Sequence, residues 1–206
     1  MRFLTAALVL ALFPVATHAA VITDPVGDFA PGYTGNAADL DVTSFSVTYD
    51  PVGQQFLLGG TVAGIINPAT AGLYAIGVNT GSGAIAPFAS QGAPNVRFNQ
   101  VVVLTKGGRA TLGATPLIAS VTGNSFAVIV SQSLLPTTGF TPSQYSWNLW
   151  PRTGLGAGTV ATDFAPDNAM LAPVPEPGTW MTMLLGFGLL GGAMRRRLAL
   201  RQTAHA

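Results

Sequence analysis

The sequence predicts an all-β fold, an antiparallel, jelly-roll-like β-sandwich, on three observations. Alternating apolar and polar stretches recur at spacings near ten residues, with turn residues between them. Glycine (25) and proline (15) are abundant, which favours short strands and turns over long helices. Charged residues make up only 8% of the chain against 49% hydrophobic, so there is ample apolar surface to bury, and whole-chain disorder is the weaker reading. At 206 residues the length suits one domain, expected over 20–162. A signal helix is expected before it and a single transmembrane helix after it.

Residues 1–19 read as a signal peptide. Arg2 supplies the positive start, residues 3–13 form an apolar or small run, Pro14 breaks it, and small residues lead to cleavage after Ala19. The run is too short to span a bilayer. Its implied partner is the Sec export machinery. The absence of cysteine is compatible with export, because a domain of this size needs no disulfide.

Within the body, residues 43–49 alternate with Phe45, Val47 and Tyr49 on one face, and the turn at 50–53 returns the chain along 55–64. Residues 72–81 read as a strand. Residues 95–105 form another, followed by a two-residue hairpin turn at Gly107-Gly108 and a return strand over 110–113. Gly123-Asn124 separates two further β-rich runs within 117–131, and residues 144–150 close the set. Residues 131–136 hint at a short helix. Residues 163–174, with proline recurring and no periodicity, read as a linker.

The C-terminal part carries the most specific pattern. Residues 177–194 hold no charge; as a helix they reach about 27 Å, close to the ~30 Å hydrocarbon thickness, with 178–194 as the expected span. Arg195, Arg196 and Arg197 would each cost about 3 kcal/mol at the bilayer centre, so they stop transfer and stay cytoplasmic, leaving the body outside. Pro175 and Pro177 hold Glu176 in an extended segment, since each proline biases its predecessor away from helix. Pro175-Glu176-Pro177, the apolar run and the arginine cluster, over 175–201, closely resemble the PEP-CTERM sorting signal of Gram-negative bacteria. The resemblance implies recognition by an exosortase, a membrane-embedded cysteine protease or transpeptidase that removes the tail near the motif. It also implies a passing stay in the inner membrane and delivery to the cell surface or the extracellular polymer matrix, where exopolysaccharide is the expected neighbour. A permanent single-pass anchor is the alternative reading.

The start of the body, with Asp24, Gly27-Asp28 and Asp39-Leu40 before an alternating strand, resembles secreted sandwich domains of the DOMON and family-9 carbohydrate-binding type. That resemblance implies a binding or structural module and carries no catalytic residues over. The chemistry on offer agrees. His18 and His205 lie in segments expected to be removed, and Glu176, the sole glutamate, belongs to the sorting motif. Without Cys, His or Glu, the body builds neither a nucleophilic triad nor an ordinary zinc site, so no enzyme is expected. Between residues 21 and 175 four basic residues face seven aspartates, a balance of −3, which disfavours a nucleic-acid partner. No cofactor is required by the sequence. Ca²⁺ is the one candidate ion, with Asp24, Asp28, Asp39 and Asp41 as candidate ligands, because hard oxygen donors suit it. Hydrogen bonds from turn amides are the competing role for these aspartates. Alternation places Tyr145, Trp147 and Leu149 on one face, as core, and Trp150 on the other, where it is the candidate glycan-stacking residue.

Overall fold

The computed structural model describes residues 17–172 and 185–188. The body is mostly β, nine antiparallel strands in one curled, half-barrel sheet. The strands are β1 (His18–Thr23), β2 (Val42–Asp50), β3 (Gln55–Val62), β4 (Leu73–Asn79), β5 (Gln100–Thr105), β6 (Ala110–Leu112), β7 (Thr115–Thr122), β8 (Ser125–Ser131) and β9 (Ser146–Arg152). Their spatial order is β1-β2-β3-β8-β7-β6-β5-β4-β9. The expected sandwich of two sheets is thus replaced by a continuous one. The reason lies in β7, which pairs through Thr115, Pro116 and Leu117 with β6 and through Ile118 onward with β8, so one strand turns the corner that would otherwise be a gap.

The period-2 pattern sets which face is buried. Phe45, Val47 and Tyr49 of β2 point inward beside Leu58 and Phe56 of β3, whose neighbours on β8 are Val128 and Val130. From the opposite half come Tyr74, Ile76, Val102, Leu104, Trp147 and Leu149. Ring contacts join the halves: Phe56 lies 5.7 Å from Tyr145 and 5.1 Å from Trp147, and Tyr74 lies 4.7 Å from Phe126.

Turn chemistry fixes the register. The Asp50 carboxylate accepts the amides of Val52 and Gly53 and so rounds the β2–β3 turn. Gly113 (φ +57°) and Gly123 (φ +61°) each occupy the first central position of a two-residue turn, where the type II′ hairpin needs positive φ. The β5–β6 hairpin forms as expected but is one residue longer, Lys106-Gly107-Gly108, closed by the Thr105 amide on the Arg109 carbonyl. The short helix expected near 131–136 is a single 3-10 turn, Gln132–Leu134.

A second apolar cluster covers the outer face of β4 and β9. The long β4–β5 connection folds over it, bringing Phe88, Ala93, Val96 and Phe98 onto Ala75 and Trp150. Gly77 permits this, because a Cβ there would run into the Trp150 ring.

The linker expected at 163–174 is corrected by the structure over most of its length. Residues 161–171 run antiparallel to β9 in isolated bridges, Ala161 to Arg152, Ala165 to Leu149 and Leu171 to Trp147, and cover an edge that would otherwise offer unpaired backbone groups. Asp163, Phe164 and Ala165 are buried. The segment also bonds across to the start of β2, through the Val42 amide on Asp163 and the Thr162 hydroxyl on the Leu40 carbonyl. It thereby fills the seam between β9 and β2.

Both expected flanking helices fall largely outside the described residues. Residues 185–188 are helical, and among the described residues no helix is long and apolar enough to cross a membrane. The expected signal peptide ends inside β1, where Ala19 pairs with Thr48. The expected cleavage after Ala19 would leave Ala20 to Thr23 as a short edge strand.

Candidate functional site

Of the four aspartates expected as Ca²⁺ ligands, the structure brings two together and sends two elsewhere. Asp39 turns away to form a 2.7 Å ion pair with Lys106, whose side chain is only 1% exposed. Lys106 Nζ also donates to Thr70 Oγ1 at 2.9 Å. Asp41 accepts the Gly27 amide on both carboxylate oxygens, at 3.2 and 3.0 Å, which ties the loop after β1 to the start of β2. Asp24 and Asp28 instead meet Asp163: one carboxylate oxygen from each of the three lies within 4.8 Å of the others. Asp163 is the residue that sequence reasoning misses, because it sits in the stretch that reads as a linker. A signal is present in the apolar Phe164, Met170 and Leu171, which a solvated linker has no use for.

The three carboxyl groups differ in how they are satisfied. Asp163 is fully buried and accepts the amides of Val42 and Phe164, each at 2.7 Å. Asp24 is 9% exposed, its own amide bonds the Thr43 carbonyl, and its Oδ2 has no hydrogen-bond partner. Asp28 Oδ1 is likewise buried without a partner. Burial first, then the charge of Asp163 and Asp28, pushes the Asp24 carboxyl up to about 8. Burial pushes Asp163 up to about 7 against the lowering effect of its two amide donors, and burial also raises Asp28. Asp41 and Asp167 add to the negative field on this cluster.

The expected glycan contact at Trp150 is corrected. The residue lies on the face opposite Trp147, as alternation predicts, but that face is roofed by the β4–β5 connection. Trp150 is 2% exposed, 4.6 Å from the Phe98 ring and 5.1 Å from Phe88. It is a core residue, as is Trp147. The expected sorting residues Pro175, Glu176 and Pro177 and the expected stop-transfer residues Arg195, Arg196 and Arg197 lie outside the described residues.

The body is therefore a curled antiparallel β domain with a buried carboxylate cluster at the seam where its last segment meets β1 and β2. Immediately beyond that segment, residues 173–197 match the PEP-CTERM protein-sorting motif. The motif marks the chain as an exosortase-targeted, exported protein whose sorting signal is membrane-anchored before surface delivery. No curated protein and no solved structure matches the chain.

Proposed function

We propose that this chain is a non-enzymatic surface or matrix protein of a Gram-negative cell. The Sec machinery exports it, residues 178–194 hold it in the inner membrane as a single helix, and exosortase cuts it at or near Pro175-Glu176-Pro177. The released domain then takes its place among surface exopolysaccharide. The observation that carries this reading is the motif match at 173–197, directly after the last bridge of the domain, Leu171 to Trp147. A cut at the motif severs nothing that the described domain uses. The non-enzymatic part of the proposal rests on composition, since a mature body without Cys, His or Glu has few groups that titrate or attack near neutral pH.

Replacing the motif by alanine (P175A/E176A/P177A) tests the route. Cell fractionation should show the variant held in the inner membrane at full tail length while the parent chain reaches the surface. Equal surface delivery of both would defeat the reading.

A further inference from the structure

Three features of the Asp24–Asp28–Asp163 cluster call for a cation. The first is reach. Ca²⁺ takes oxygen ligands at about 2.3–2.6 Å, so two oxygens on one ion lie at most about 5 Å apart. The three carboxylate oxygens, all within 4.8 Å of one another, satisfy that limit together. The second is the unmet acceptors. Asp24 is nine-tenths buried, yet its Oδ2 and the Oδ1 of Asp28 have no donor. A buried acceptor without a partner is costly, and more so when it carries charge. Turn amides, the competing role for these aspartates, meet that need only in part: the Asp28 backbone bonds its own carboxyl, the Gly27 amide goes to Asp41, those of Val42 and Phe164 go to Asp163, and Asp24 Oδ2 and Asp28 Oδ1 stay without a donor.

The third is charge. Asp41 and Asp167 add their negative field to that of the three clustered carboxylates. Among the described residues, no lysine or arginine pairs with Asp24, Asp28 or Asp163; the buried Lys106 is committed to Asp39. We propose that Asp24, Asp28 and Asp163 bind Ca²⁺, which clamps the loop after β1 to the edge segment that leads into the sorting tail. Hard carboxylate donors from segments 139 positions apart in sequence suit the larger, more tolerant Ca²⁺ better than Mg²⁺, which demands a near-ideal octahedron. The ion would be met in quantity only outside the cell, where sites with Kd of about 0.1–1 mM are useful. The clamp therefore closes after export, on the proposed route to the surface.

The test uses the full chain in mild detergent, stripped with a chelator and titrated with CaCl₂ by calorimetry and thermal melting. One site with Kd at or below about 1 mM is expected. At a hundredfold excess over Kd, Tm should rise by about 5–10 °C. The D24N/D28N variant should lose the Ca²⁺-dependent shift while its Tm in chelator equals or exceeds that of the parent, because the repulsion is gone. The proposal is overturned by no heat and no Tm shift at about 10 mM CaCl₂, by a shift that survives in D24N/D28N, or by MgCl₂ binding as tightly as CaCl₂. None of these outcomes depends on exosortase processing.

Discussion

Phe56→Ala is expected to destabilise the body by about 3–5 kcal/mol, the range for removing a buried aromatic side chain. Phe56 is 0% exposed and sits on β3, on the inner face of the curled sheet. Its ring stacks on Tyr49 at 4.8 Å from the same half and meets Tyr145 and Trp147 from the other. Truncation removes one of the rings that bridge the halves and leaves a cavity that neighbours on two separate chain regions would have to fill. Against a typical total of about 5–15 kcal/mol, the variant would be marginally folded. Denaturant unfolding checks this, with a lower midpoint and an unchanged slope. The neighbouring Leu57 points outward and is 48% exposed, so Leu57→Ala should cost about 1 kcal/mol or less. Similar losses for the two would mean that the sheet does not close over Phe56.

Lys106→Met ranks next, at about 3 kcal/mol. The ammonium group is buried and bonded to Asp39 and Thr70, and Asp39 itself is 13% exposed on its side chain. Removing the lysine strands a carboxylate in a site with little water, and breaking a buried pair from one side costs far more than the net value of the pair. Asp39 also accepts the Asn67 amide at 3.3 Å, and its carbonyl accepts the Tyr74 hydroxyl at 2.7 Å, so the disturbance reaches the core. The double variant K106M/D39N should recover most of the loss, since nothing charged is then left unpaired. A double-mutant cycle in denaturant measures this coupling. Strictly additive losses would show that the pair is not the source of the effect.

The strands are legible in the sequence because alternation is a local property. Phe45, Val47 and Tyr49, or Phe126, Val128 and Val130, declare their face within a few residues. Which strands become neighbours at long range is not legible there. The β3–β8 pairing and the corner in β7 arise from register across the sheet, and no local pattern marks them. The segment 161–171 resembles a linker for a related reason. It lies along β9 through three isolated bridges, with no continuous ladder, so it has no period to detect, and Pro166 looks like a linker proline.

The candidate site divides in the same way. Asp24, Asp28, Asp39 and Asp41 look like one cluster because they are close in sequence. Folding keeps two of them at the seam, brings in Asp163 from far along the chain, and assigns Asp39 to a lysine. Alternation puts Trp150 on the right face, but whether that face is wet depends on the β4–β5 connection, which alternation does not describe. The sorting motif is legible in the sequence, as the match at 173–197 bears out, because such a motif is a linear pattern and does not depend on the fold.

Intact-mass spectrometry of the protein recovered from its own cells tests the central claim most directly. The account predicts a chain that starts at Ala20 and ends at or near Pro175-Glu176-Pro177, retaining every residue of the nine strands beyond the signal cleavage point, together with the covering segment 161–171. Recovery from the surface fraction of a chain that still carries residues 178–201, or of one that still begins at Met1, would contradict it.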